Sequence, residues 1–451
     1  MFKLQLPERY SRNFFFKANG LALLSAITLF SCKEDTPFAD EIETNDYLLD
    51  EYAFFDPTDT LNVSVCDAED IATLFMDKVG GIDNTFKSSG LHYSSRKTDV
   101  IPDDNMEPAI YVVNLEPEGF CVVSATKKTE SILAYSDQGN FDLNNLPDGL
   151  AEWLSENVEL IQFIRSCEPE GQMVPAVAVL GSGSGCGGNS SNGGGTNTGT
   201  KIDTETYGPL LKTEWGQDYP FNIMCPDNNC YNGDENCLAG CVAIAAAQIV
   251  RYYQPIMVYN FNPYYWSDMP NKKYPIKSDE FIRKDRGYIS MARLIHDIGV
   301  AVDMNYGCEG SRAKTEKIPG VLSNKFGFFY GGNYQELSNS TATPKLIDNI
   351  KHKQPVIMSG YRTKKLLGLV YQDGHAWVCD GYKKISHKKG NNVTGTEEYF
   401  HMNWGWGGKD NGWFTLDLKL YQSDNGYDEN KGYIYKKSYI TGIKYNPNSN
   451  L

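Results

Sequence analysis

The sequence predicts two α+β domains in series, on three observations. Residues 50–180 alternate helix-period and strand-period segments, residues 181–200 read GSGSGCGGNSSNGGGTNTGT, and about 250 residues rich in Tyr, Trp and Gly follow. A chain of 451 residues has room for two or three units of roughly 150 residues, each able to bury its own core. Apolar residues at 41% exclude a disordered chain, and a formal net charge of −15 disfavours nucleic acid and anionic lipid as partners. No tandem repeat with a period of 20 to 50 residues is visible.

The first element is a basic stretch with Lys3, Arg9, Arg12 and Lys17, followed by the uncharged run Leu21–Phe30 and then Ser31-Cys32. That order is a secretory signal peptide, and the run is short of the about 20 residues a spanning helix needs. Leu29-Phe30-Ser31-Cys32 resembles a bacterial lipobox, with Cys32 the lipidated residue. Lys33-Glu34-Asp35 resembles the acidic tag that sends some lipoproteins to the cell surface. The expectation is an exported protein, held at the outer membrane or cell surface only through lipid on Cys32, with plain secretion as the alternative. Export permits disulfides among the eleven cysteines. Cys225, Cys230, Cys237 and Cys241 are crowded, but their C-x4-C and C-x6-C gaps are not usual zinc spacings and no His joins them. One local disulfide among Cys225, Cys230 and Cys237 is expected instead.

In the first domain Asp67 is the expected N-cap of a helix bearing Ile71, Leu74, Phe75 and Val79. Ala109–Leu115 and Phe120–Ala125 flank a Glu-Pro-Glu-Gly turn and predict a hairpin, and Ile132–Ser136 predicts a third strand. Leu150, Trp153, Leu154, Val158 and Ile161 predict a second helix over 150–164. The linker that follows buries too little apolar surface to offset its ordering entropy, so it is the expected processing site.

The second domain holds Gly240-Cys241-Val-Ala-Ile-Ala-Ala-Ala-Gln248-Ile-Val-Arg-Tyr-Tyr253, a run of good helix formers stopped by Pro255. A thiol at a helix N-terminus feels the positive end of the dipole, which makes Cys241 a candidate nucleophile. The segment alone leaves a small core cysteine equally open. Gln217, closing Thr213-Glu-Trp215-Gly216-Gln217, can donate its amide to an oxyanion. For the base, His92 lies in the first domain, His352 and His387 sit among lysines and read as solvated, and His296 sits on a predicted amphipathic helix and reads as structural. His375 begins a buried-looking strand after Gly374, which lets a substrate approach closely. Asn403 ends another strand, where its amide can accept from a His ring and Trp404 can shield that bond. His401, on the same face as Asn403, competes with His375. The order Cys, His, Asn reproduces a papain-like arrangement and favours His375.

Trp215-Gly216-Gln217, Gly240-Cys241-Val-Ala-x-Ala-x-Ala-Gln248, Gly374-His375-Ala376-Trp377 and Asn403-Trp404-Gly405-Trp406-Gly407-Gly408 resemble the blocks of the streptopain family of secreted bacterial cysteine peptidases. Ala109–Ser124 and Ile132–Phe141 resemble that family's inhibitory prodomain. The resemblance covers about residues 50–170 and 205–445. It implies a papain-like domain in which Cys241 attacks the scissile carbonyl, His375 acts as general base and then acid, Gln217 serves the oxyanion hole and Asn403 or Trp404 orients His375. It also implies that Gly299–Gly310 forms a cleft wall with Gly374, Glu309 and Ser311 near the substrate; Cys308 departs from the family pattern.

The expected organisation is signal peptide 1–31, tether 32–49, inhibitory prodomain 50–180, linker 181–204 and peptidase 205–451. Its partners are protein or peptide substrates and its own prodomain as intramolecular inhibitor, with no cofactor and no metal. The segments 264–277, 327–335 and 361–368, which would shape the subsites, are read as irregular loops. The same residues also suit an amide transferase or deamidase, and the fold alone a catalytically silent surface binding lipoprotein. Intact Cys241, His375, Gln217 and Asn403 favour hydrolysis, and the chain has no H-E-x-x-H cluster for a metallopeptidase.

Overall fold

The computed structural model describes residues 61–79, 92–166, 200–228, 230, 236–256, 258–259, 262–274, 278–337, 339–366, 369–416 and 435–446. The expected signal peptide, tether, Cys32 and residues 181–199 of the linker lie outside the described residues. The chain divides into two compact units.

In the first unit, helix α1 (Val65–Val79) packs across a meander of β1 (Ser94–Pro102), β2 (Pro108–Glu116), β3 (Phe120–Ser124) and β4 (Ile132–Ser136), each antiparallel to the next. Ala68, Ile71, Ala72, Phe75, Met76 and Val79 are buried at helical spacing. The helix starts earlier than Asp67. Ser64 caps it, its Oγ accepting from Asp67 N at 3.1 Å while Ser64 N donates to Asp67 Oδ2 at 3.3 Å. Asp67 therefore takes the third position of a reciprocal cap rather than the cap itself. Strand β1 had no reading in the sequence, because Ser94–Pro102 carries polar residues on its exposed half.

Helix α2 (Asp148–Ser166) follows β4, and its first half does not stay with the expected prodomain. Residues Asn145–Glu156 belong to the second unit, together with 198–417 and 425–451. That unit begins with β5 (Thr200–Tyr207), so residues 200–204 of the expected linker are strand. Next come α3 (Cys241–Tyr253), α4 (Arg286–Ala301), α5 (Ile318–Lys325), β6 (Asn333–Glu336), α6 (Asn339–Lys351), β7 (Val356–Leu366), β8 (Leu369–Lys389), β9 (Asn392–Asn403), β10 (Gly412–Phe414) and β11 (Tyr435–Thr441). The sheet order is β10-β9-β8-β7-β11-β6, with β5 beside the distal half of β8. Residues 333–335 and 361–366, read as loops, are thus strand. Val356–Met358 is buried, and Tyr361–Leu366, whose Arg-Thr-Lys-Lys run gave no strand pattern, pairs with Leu369–Gly374 of β8.

Helix α3 lies against α4 and β8. Every residue from Val242 to Val250 is buried, which the small side chains of its alanine run allow. Beside it in one core sit Trp215, Met291, Leu294, Ile298, Leu322, Ile357, Ala376 and Val378. Gln254 ends the helix in the left-handed region, its N–H bonded to Val250 O, and Pro255 prevents continuation.

Candidate active site

Cys241 is the first residue of α3 and is half-buried. Gly240 precedes it with φ 87°, a backbone conformation that side-chain-bearing residues rarely adopt and glycine reaches freely. No side chain caps this helix, which leaves its first N–H groups and the positive end of the dipole at the thiol. The approach to Cys241 is held from two sides. Ala239 N donates to Gln217 O at 2.9 Å, and Leu238 N donates to Gly307 O at 3.2 Å. Gln217 is half-buried and is thereby fixed beside the start of α3.

His375 sits within β8, seven residues into the strand rather than at its start, opposite Gly360 of β7. It is 3% exposed. Its Nε2 lies 2.9 Å from the carbonyl oxygen of Trp404. A carbonyl only accepts, so Nε2 carries a proton and Nδ1 is the ring nitrogen left to exchange one. Trp377 stacks on the ring at 6.1 Å and 12°, and Trp404 lies 5.3 Å from Trp377. Trp404 is fixed in turn: its Nε1 donates to Asp410 O at 3.1 Å and its backbone N to Asn411 Oδ1 at 3.0 Å.

Asn403 does not orient His375 through its side chain. Its Oδ1 accepts from Gln248 Nε2 at 3.2 Å and from Gly405 N at 3.2 Å, and its Nδ2 donates to Thr213 O at 2.7 Å. Gln248, fully buried on α3, accepts from Trp215 N at 3.4 Å, and Trp215 O accepts from Gly407 N at 3.1 Å. The amide pair therefore ties α3, the Thr213–Gln217 segment and the end of β9 together, and the Trp404 main chain holds the imidazole. Sequence reasoning passed over Gln248; its signal was a polar residue in an otherwise apolar helix.

The remaining histidines separate clearly. His401 Nδ1 is 2.6 Å from Oδ1 of the fully buried Asp380, whose Oδ2 accepts from Leu211 N at 2.8 Å, so this pair anchors the chain after β5. His387 is buried, not solvated, with Nε2 3.0 Å from Glu397 Oε1. His352 and His92 are exposed, and His296 lies on α4 stacked on Tyr306. On the expected wall, Glu309 and Gly374 are exposed. Ser311 is buried, its hydroxyl donating to Leu238 O at 2.5 Å and accepting from Gly307 N at 3.0 Å, so that hydroxyl holds the wall in place.

The expected local disulfide is replaced by a distant one, Cys230–Cys308, across 78 residues. Cys308, the residue outside the family pattern, is thus the bonded partner. Burial pushes the Cys121 and Cys379 thiols well above the ordinary range, and burial beside Cys237 pushes Cys225 up to about 12. Among the described free cysteines only Cys66 and Cys241 are half-buried.

Residues 145–156 press on this region. A Cβ on Gly149 would lie 2.9 Å from His375 Cδ2, 3.2 Å from Trp404 Cζ3 and 3.3 Å from Trp377 Cε3. Trp153 Nε1 donates to Thr415 O at 3.0 Å, and its ring meets Phe414 edge-on at 5.1 Å. Lys409 Nζ donates to Asn145 O at 2.8 Å, and Lys437 pairs with Glu156 at 2.9 Å. The sequence signal was Gly149 in the first turn of a helix, where a missing side chain marks close approach.

Residues 215–414 match the Peptidase C10 family and residues 61–161 match the Spi protease inhibitor. The chain is similar to streptopain from Streptococcus pyogenes, 25% identical over 352 residues that cover 68% of this chain and 74% of that one. It is also similar to the thiol protease/hemagglutinin PrtT of Porphyromonas gingivalis, 26% identical over 370 residues, 75% of this chain and 37% of the other. A prointerpain A fragment from Prevotella intermedia shares the fold, with a TM-score of 0.51 at 21% identity over 78% of this chain and all of that one. Fold and comparisons define a papain-like cysteine peptidase. The chain carries a Peptidase C10, or streptopain-family, domain over residues 215–414, with a Spi-type inhibitory domain ahead of it over residues 61–161.

Proposed function

We propose that this chain is an exported zymogen whose peptide-bond hydrolysis runs through Cys241 and His375. The Cys241 thiolate, favoured at the start of α3, attacks the scissile carbonyl, and its proton resides on Nδ1 of His375. The oxyanion accepts from the Cys241 backbone N–H and from the Gln217 amide. His375 then gives its proton to the leaving amine, and water cleaves the thioester with His375 again as base. The observation that carries this reading is the bond from His375 Nε2 to Trp404 O at 2.9 Å, which sets the tautomer the reaction needs. Trp404 acts as the orienting residue through its carbonyl, and Asn403 as a positioning residue through Gln248 and Thr213.

Latency follows from residues 145–156. Gly149 lies against His375 and its two tryptophan neighbours, so substrate and this segment compete for one place. Cleavage within 181–204 separates the prodomain, 50–180, from a peptidase of about 250 residues that starts near β5. Export through residues 1–31 and lipid on Cys32 put the anchor on the prodomain side of that cut, so processing releases the peptidase. Glu309 and Gly374, both exposed, remain the proposed substrate contacts.

The test is intact mass over time on residues 33–451 under mild reduction, wild type against Cys241→Ala. The expected result is a fragment starting near residue 200 from the wild type and an uncut variant. If the variant trims itself equally, Cys241 is not the nucleophile.

A further inference from the structure

The sulfurs of Cys230, Cys237 and Cys308 all lie within 4.8 Å of one another, while only Cys230 and Cys308 are bonded. A free thiol thus sits against a disulfide. Cys237 is fully buried, and the Asn228 Nδ2 amide donates to its sulfur at 3.1 Å, which holds the thiol in place beside the disulfide. A thiol held within 4.8 Å of both sulfurs of a disulfide is the arrangement from which thiol–disulfide exchange starts, once the thiol is deprotonated.

We infer that Cys230, Cys237 and Cys308 form an exchange centre that switches the wall beside Cys241 between a clamped and a released state. In the step, Cys237 gives up its proton and its thiolate attacks Cys230 Sγ. The Cys237–Cys230 bond forms, the Cys230–Cys308 bond breaks, and the electron pair leaves on Cys308, which takes up a proton. The number of disulfides is unchanged and no oxidant or reductant enters. The long link of 78 residues becomes a local one, and Cys308 is freed.

The consequence reaches the cleft through the neighbouring backbone. Gly307, next to Cys308, accepts from Leu238 N, and its own N–H donates to Ser311, whose hydroxyl donates to Leu238 O. Leu238 is three residues before Cys241. In the clamped state the disulfide holds the 304–312 turn against this approach, and in the released state only the hydrogen bonds do. The consequence for catalysis rests on the proposed role of Cys241; the exchange itself does not.

The experiment therefore uses two readouts. The Cys241→Ala chain is incubated near pH 8 without reductant, acid-quenched, alkylated and mapped as non-reduced peptides. A Cys230–Cys237 peptide pair that grows over minutes to hours, together with newly alkylated Cys308, is expected. Asn228→Leu, which leaves all three cysteines in place, slows that growth several-fold, and Cys237→Ala abolishes it. Cys230–Cys308 as the sole pair at every time point overturns the proposal, as does an Asn228→Leu rate equal to wild type. In the processed active enzyme, KM for a peptide substrate drifts upward on the same time course in the wild type and stays constant in Cys237→Ala. A map that changes while KM does not would refute the link to the cleft.

Discussion

Gly149→Ala tests latency where the structure is tightest. The added Cβ would sit 2.9 Å from His375 Cδ2, a separation that Cβ atoms essentially never show, with Trp404 and Trp377 at 3.2 and 3.3 Å. His375 cannot yield freely, because Nε2 is bonded to Trp404 O and the ring is stacked on Trp377. Overpacking of this kind costs about 1–3 kcal/mol. Alanine also raises helix propensity by up to about 1 kcal/mol, but that gain acts on α2 whether or not its first turn is docked, so it cancels. The clash acts on the docked state alone and raises the undocked population about 5- to 150-fold. The assay is the rate at which residues 33–451 process themselves, followed by intact mass, wild type against Gly149→Ala. The Cys241→Ala and Cys241→Ala/Gly149→Ala chains are melted in parallel to check that the fold is intact. Processing within twofold of wild type, with the melting temperatures equal, would refute the claim that this turn blocks the site.

Gln248→Leu removes the partner of Trp215 N–H and of the Asn403 amide in a dry interior, so it should destabilise the chain by about 2–5 kcal/mol. Urea midpoints in the Cys241→Ala background measure that, and kcat of the processed enzyme should fall as Gln217 loses its support; no change in either refutes the positioning role. Trp153→Phe deletes the bond to Thr415 O while keeping the ring against Phe414, so self-processing should speed up by less than in Gly149→Ala; equal or slower processing counts against that anchor. Iodoacetamide near pH 8 should modify Cys241 well before Cys121, Cys225 and Cys379, whose thiols burial holds protonated; equal labelling in the folded chain contradicts this. A thiol raised from 9.0 to about 12 in the fold stabilises fully below pH 9 and loses that contribution as pH rises toward 12, so Cys225 alone implies a loss of up to about 1.4 kcal/mol per pH unit above 9. Urea midpoints of the Cys241→Ala chain should therefore be lower at pH 10 than at pH 8, and equal midpoints would contradict it.

What the sequence made legible was local. Cys241 begins an alanine run ended by Pro255, and both ends of α3 fall where those residues put them, because capping and propensity act within a few positions. His387 was legible too and was misread. Its flanking lysines suggested solvent, yet β8 alternates, with Ile385 and His387 buried while Lys384 and Lys388 are less so, as a period of two requires. The Cys230–Cys308 bond was not legible, since no rule of spacing relates positions 78 residues apart and the crowding of Cys225, Cys230 and Cys237 pointed to a local pair. Asn403 shows a different limit. Residue type marked it as a partner for His375, but strand register brings the next residue's carbonyl to the ring and turns the amide to Gln248. The apolar stripe of α2 likewise predicted a helix without saying that Trp153 serves one unit and Ile161 belongs to the other. In each case the pattern identifies an element that must bury a face, and register or packing decides against what. The groups that set the site here are main-chain atoms, the Trp404 carbonyl, the Gln217 carbonyl and the first N–H groups of α3, and main-chain atoms are the same in every residue. Side-chain identity therefore names the candidate reacting groups, Cys241 and His375, more readily than it names the atoms that hold them.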